Sequence, residues 1–283
     1  MNLLNFAFKI SRFKFWIYLA GPYVVGYALG MEDWSAFLAP TFALFLAYFF
    51  FPANLLLYGV NDYCDHDTDL ENPKKMEKEH LLRRKEKRTL LALLTGTAVL
   101  SLVLIALSRT YVEMAILGVF LLLSYAYSAR PFRFKARPML DFASNALYVL
   151  PGVLGYYQAS GTLPLYLIVV GGLLHTSAMH LFSAIPDIEY DRAAGIKTTA
   201  VVLERKTSLL LVSAFWTGLA LLAIYLTGYH PLAFVVIVYP ILPLLALIKG
   251  EIDINKLYWY LPYINTGLGG GLFTFLAITK MGF

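Results

Sequence analysis

Phe49-Phe50-Phe51-Pro52-Ala53-Asn54-Leu55-Leu56-Leu57-Tyr58-Gly59-Val60 runs directly into Asn61-Asp62-Tyr63-Cys64-Asp65-His66-Asp67-Thr68-Asp69. The first half closes an apolar stretch over 34–60, longer than the roughly 20 residues a helix needs to cross a bilayer. The second half places Asp62, Asp65, Asp67 and Asp69 at its end. Charged side chains are costly near hydrocarbon, so acids gathered there need a reason. The pattern recurs where the apolar stretch 163–185 runs into Asp187, Glu189 and Asp191. Together the two windows hold seven of the 18 acidic residues.

Working outward, the composition gives the setting. Of 283 residues, 59% are hydrophobic and 14% charged, where a soluble domain carries about 25% charged. Mean hydropathy is +0.65. Apolar blocks near 13–30, 34–60, 89–108, 112–128, 140–158, 163–185, 208–227, 231–248 and 258–279 predict an all-α integral membrane protein. About nine transmembrane helices are expected, in a single domain over 1–283. Basic residues orient such a chain, because cytoplasmic connections are enriched in Lys and Arg. On this count one side receives 21 of the 23 basic residues, leaving Arg109 and Lys280 opposite. Both acidic windows fall on the basic side and are expected to face the cytoplasm. Cys64 stands alone, which excludes an intramolecular disulfide and a cysteine-based metal cluster.

Side chains three and four apart on a helix are neighbours. Asn61, Asp65 and Asp69 share such a face with Asp62 beside them, and Asp187 and Asp191 are also four apart. Carboxylates packed this way repel unless a cation lies between them. Oxygen-only ligands suit Mg²⁺, which also takes phosphate oxygens. Two such patches would hold metal around a diphosphate. Tyr127-Ser128-Ala129-Arg130-Pro131-Phe132-Arg133-Phe134-Lys135-Ala136-Arg137 adds a basic loop, and Arg192 and Lys197 follow the second window. Arginine offers a planar fork to diphosphate oxygens. A span, an acidic window and a lysine-containing stretch near 34–75 echo those near 163–197, a faint internal repeat.

Within the spans, Asn54 lies seven before Asn61, on the same helix face, and is expected to line the same cavity. Tyr58 and Tyr127 are the aromatic residues best placed to line it, since aromatic faces attract cations. Asn145, His175 and His180 should point inward, the histidines as hydrogen-bonded interhelical groups. Pro22, Pro40, Pro52, Pro151, Pro240 and Pro243 should kink helices, and Gly267 with Gly269–Gly271 should let helices pack closely.

Asn61-Asp62-x-x-Asp65-x-x-x-Asp69, with Asp187-x-x-x-Asp191-Arg192-x-x-Gly195-x-x-Thr198, resembles the two motifs of the UbiA superfamily of intramembrane prenyltransferases. The resemblance implies helices around a central cavity open sideways to lipid, with cytoplasmic motif loops. It implies that Asn61, Asp62, Asp65, Asp69, Asp187 and Asp191 hold Mg²⁺ and the diphosphate of an allylic isoprenoid. The family's tyrosine-plus-basic loop maps onto Tyr127, Arg133 and Lys135; Asp65, Asp191 and Tyr127 would be catalytic. A narrower similarity, to the lycopene elongase branch, is carried by Ser11-Arg12-Phe13, Gly59-Val60-Asn61-Asp62, Asn72-Pro73-Lys74-Lys75 and Ser183-Ala184-Ile185-Pro186-Asp187. It implies transfer of a five-carbon unit to a carotenoid such as lycopene; Arg130 departs from the Pro of that branch.

Two other readings compete. An aromatic acceptor, such as a quinone precursor or chlorophyllide, would be the rival within the enzyme class. An aromatic acid needs a cation in the cavity, and no span interior contains Lys or Arg. A transporter could also carry carboxylates on repeats, though usually near mid-membrane.

Overall fold

The computed structural model describes residues 2–66, 80–250 and 252–281. All regular structure among the described residues is helical, as lipid requires: a helix satisfies its own backbone hydrogen bonds. Five helical stretches are long and apolar enough to cross a membrane: Pro40–Cys64, Arg84–Ala106, Tyr166–Ala193, Thr199–Leu226 and Pro231–Ile248. Tyr111–Ala126 is apolar but shorter. By length and composition the expected nine spans are therefore not all reached among the described residues. One reason is local. The block expected at 140–158 is divided into a turn at Leu140–Ala143, a 3-10 stretch at Ser144–Tyr148 and a helix at Leu150–Ser160.

The chain forms two compact units, Met1–Arg133 with Leu150–Leu163 and Phe273–Phe283, and Phe134–Val149 with Pro164–Leu272. Each acidic window lies in a different unit.

In the first unit, helices Ile17–Gly30 and Leu150–Ser160 pack backbone to backbone. A Cβ added at Gly26 would sit 2.0 Å from the Gly152 carbonyl oxygen, and one at Gly155 would sit 2.4 Å from that of Tyr23. Small residues are what permit such an approach in lipid. The cluster at Gly267, Gly269 and Gly271 does not serve this purpose, because an added Cβ there meets nothing within 4 Å. Gly26→Val is expected to force these helices apart and lower thermal stability in detergent by several degrees, while Gly269→Ala leaves it unchanged. Equal melting of the two variants would contradict this packing.

The long first span is not one straight helix. Phe51 (φ −122°, ψ −63°) separates Pro40–Phe50 from Pro52–Cys64. Pro52 has no N–H to continue the ladder. The buried Asn54 amide makes up the loss, donating to the carbonyls of Phe49 (2.7 Å) and Phe50 (3.1 Å). Pro40 and Pro52 begin helices, Pro151 stands second and Pro240 third in theirs, and among the described residues Pro22, Pro243 and Pro262 lie inside. Packing against Pro52–Cys64, the N-terminal helix Leu3–Ile10 buries Phe6, Ala7 and Ile10 among Leu55, Leu56, Val60, Leu90 and Leu94.

In the second unit, Trp216, Phe182, Leu181, Leu209 and Val212 centre the core. His175 is a hydrogen-bonded interhelical group here: Trp216 Nε1 donates to its Nδ1 (3.3 Å), and the ring meets Tyr239 edge-on at 4.8 Å. Tyr239 in turn donates to Asn265 Oδ1 (2.5 Å). Asp141, fully buried, binds the start of the long helix Thr199–Leu226. Its Oδ2 accepts from Thr199 N–H (2.6 Å), and its Oδ1 from the Thr199 hydroxyl (2.5 Å) and Phe142 N–H (2.9 Å).

Candidate functional site

The first window begins on the last turn of helix Pro52–Cys64. Asn61 and Asp62 are helical, whereas Asp65 caps the helix with φ −101° and ψ 5°. The helix thus ends before the spacing of four can run its length. Asp69, like Asp67 and Asn72–Lys75, lies outside the described residues.

Asp62 and Asp65 are 5% and 6% exposed, values that matter because a buried carboxylate must be paired or hydrogen-bonded. Each has an arginine. Arg12 donates to Asp62 Oδ1 at 2.6 Å, and Arg133 donates to Asp65 Oδ1 at 3.3 Å. Both arginines have positive φ (54° and 42°). Arg12 is held a second time, its guanidinium carbon 4.9 Å from the centroid of the Tyr58 ring, which is cation–π range. Asn61 Nδ2 donates to Ser128 Oγ (3.1 Å), which leaves its amide oxygen to act as a ligand. Tyr127 caps helix Tyr111–Ala126 and is half-buried. The structure therefore brings together Tyr58, Asn61, Asp62, Asp65 and Arg133. It adds Arg12, whose part in the site sequence reading missed. Asn54 it commits to the helix break.

The second window is built separately. A 3-10 turn, Ile185–Asp187, leads into the short helix Ile188–Ala193. Asp187 and Asp191 are half-buried. The Thr198 hydroxyl donates to Asp191 Oδ2 (3.4 Å), and Ile196 N–H to the Asp191 carbonyl (2.8 Å). Gly195, in the left-handed region (φ 70°), makes the reversal that brings Thr198 back. Arg192 donates to Glu189 and Glu204, and Lys197 is exposed. Lys135, in the same unit, is half-buried.

Residues 18–255, which include both windows, match the UbiA prenyltransferase family. The chain belongs to that family. It is 42% identical over 264 residues to a lycopene elongase/hydratase of Haloferax volcanii, covering 92% of this chain and 84% of the relative. It is 39% identical to one from Haloarcula japonica, covering 99% and 93%. In fold it is similar to a UbiA homolog from Archaeoglobus fulgidus, solved bound to GPP and Mg²⁺. The TM-score is 0.72 at 20% identity, covering 95% of this chain and 99% of that one.

As a UbiA family member the protein is an integral membrane prenyltransferase. Its described residues hold no group of three or more His, Cys, Asp or Glu side chains arranged to bind a metal ion. That does not conflict with Mg²⁺. The ion keeps several waters and needs only one or two carboxylates beside substrate phosphate, and Asn61, a ligand of another type, stands with Asp62 and Asp65. These are hard oxygen donors, and the donor set fits the metal.

Proposed function

We propose that this UbiA prenyltransferase performs Mg²⁺-dependent transfer of a five-carbon group from dimethylallyl diphosphate to the end of a carotenoid such as lycopene, with its acidic windows facing the cytoplasm. The observation that carries the reading is the near-full-length identity of about 40% to proteins named lycopene elongase/hydratase. The absence of Lys and Arg from the span interiors supports an apolar acceptor over an aromatic acid. The solved relatives from Archaeoglobus fulgidus, described as bound to GPP or DMAPP with Mg²⁺, support the donor class.

In this reading Asn61, Asp62, Asp65, Asp69, Asp187 and Asp191 hold the metal. When bound, Mg²⁺ supplies positive charge that stabilises the departing diphosphate. Arg133, Lys135 and Lys197 add cationic donors for diphosphate oxygens. Arg12 and Arg133 offset the charge of the buried Asp62 and Asp65. Tyr58 turns its electron-rich face toward the Arg12 guanidinium, and Tyr127 is the second aromatic assigned to the site. Apolar spans exclude the water that would otherwise quench an allylic cation.

Membranes carrying the protein are expected to convert lycopene to longer carotenoids when supplied with dimethylallyl diphosphate and Mg²⁺, and not with EDTA. Pigment chromatography and mass spectrometry read the result. Unchanged lycopene alongside prenylation of an aromatic acid would overturn the acceptor assignment.

A further inference from the structure

Arg192 immediately follows Asp191, and its sequence position invites the role of diphosphate ligand. The geometry gives it different work. Arg192 stands three after Glu189, a spacing that makes the two neighbours on one helix face. On the helix Ile188–Ala193, Nη1 of Arg192 donates to Glu189 Oε1 at 3.0 Å. Its Nη2 donates to Glu204 Oε1 at 2.5 Å, across to the next helix.

Glu204 is itself unusual. Its backbone stands at φ 60° and ψ 167° inside Thr199–Leu226, where the helix breaks. That region is almost reserved for glycine, and a side chain persists there only where surrounding contacts over-determine it. Between Arg192 and Glu204 the chain is closed at several points. Gly195 N–H donates to the Arg192 carbonyl (3.1 Å), Ile196 N–H to that of Asp191 (2.8 Å), and the Thr198 hydroxyl to the Asp191 carboxylate. Thr198 Oγ1 also accepts from Val201 N–H at 3.3 Å, as the N-cap of the long helix. One loop therefore joins the Asp191 carboxylate to the start of that helix, and the Arg192–Glu204 bridge fastens it from outside. The pair's side chains are 43% and 64% exposed, so as a bare ion pair it contributes little. Its effect is to fix geometry.

We propose that Arg192 is a positioning residue: through Glu204 it sets the 191–198 loop and thereby aims the carboxylate of Asp191. This rests on the reading that Asp191 serves the prenyl diphosphate.

The test is a charge swap in the full-length protein: Arg192→Glu, Glu204→Arg and the double variant. Two readouts are used: steady-state transfer with dimethylallyl diphosphate and lycopene, and hydrogen–deuterium exchange over 194–204. Each single variant is expected to lose about tenfold in kcat and to exchange faster, and the double variant to recover most of both, as a coupled pair should. The KM for dimethylallyl diphosphate should move by less than about threefold, because binding is not what the pair supplies. A double variant as inactive as Arg192→Glu, with that KM raised tenfold or more, would show Arg192 on the donor and overturn the proposal. Glu204→Gly removes the carboxylate while relieving the backbone, so it guards against misfolding of Glu204→Arg. Wild-type kcat and exchange in that variant would likewise sink the idea. Should the wild type leave lycopene untouched, the functional reading fails while exchange still decides the bridge.

Discussion

Asp65→Asn and Asp191→Asn are each expected to lower prenyl transfer by about a thousandfold, the scale seen when one preorganised charge-stabilising group is removed. Asparagine keeps the shape and volume of either side chain and removes only the charge. At position 65 the substitution leaves Arg133 facing a neutral amide at a site where the native carboxylate is 6% exposed. At 191 the Thr198 hydroxyl can still donate to the amide oxygen, so the loop keeps its closure while the proposed metal site loses an anionic oxygen. Both proteins should reach the membrane in normal amount, because neither position lies within the apolar core of either unit. Initial rates with lycopene, dimethylallyl diphosphate and Mg²⁺ decide the matter. A rate within a few-fold of wild type in either variant would mean that its carboxylate does not hold the metal and diphosphate.

The second large effect is on folding. Asp141→Ala is expected to destabilise the second unit by about 3 kcal/mol, since it strands the Thr199 N–H and hydroxyl in a buried site. It also removes a carboxyl group that reaches the N-terminal end of Thr199–Leu226 from a distant segment, at the end where the helix dipole favours negative charge. The Thr199 hydroxyl meanwhile accepts from Met139 N–H (2.7 Å), so its loss of Asp141 would loosen the chain on both sides. At roughly 2–4 °C per kcal/mol, detergent-solubilised protein should melt about 6–12 °C lower. Asp141→Asn should fall between, because its amide keeps an acceptor oxygen. A melting temperature within 2 °C of wild type for the alanine variant would refute the assignment.

Much of this was legible from the residues. The apolar blocks read as an all-helical membrane chain, and of the acidic windows Asp62 and Asp65 stand at the end of Pro52–Cys64, with Asp187 on the 3-10 turn that follows Tyr166–Ala184. Local periodicity carries such information. What it does not carry is pairing between distant segments. Arg12 meets Asp62 from 50 positions away, and Asp141 meets Thr199 from 58. Neither arises from a helical repeat, so Arg12 enters the sequence reading only within the Ser11-Arg12-Phe13 resemblance, with no partner, and Asp141 does not enter it. The helical spacing carries Asn61 to the cap at Asp65, where Pro52–Cys64 ends, while Asp69 lies outside the described residues. Of the prolines expected to kink helices, Pro22 and Pro243 do stand inside helices and Pro52 at the break in its span, whereas Pro40 opens a helix, a position that tolerates proline's missing N–H. The glycine crossing did have a signal. Gly26 and Gly30 are four apart, the spacing of close helix contacts in lipid, yet the denser cluster at 267–271 drew the expectation.

The arm that delivers Arg12 has a practical meaning for whoever produces the protein. Helix Leu3–Ile10 docks on Pro52–Cys64 and is capped by Ser11, immediately before that arginine. Trimming the amino end, or fusing a bulky tag to it, would unseat the lever and be felt at a carboxylate half a hundred positions downstream.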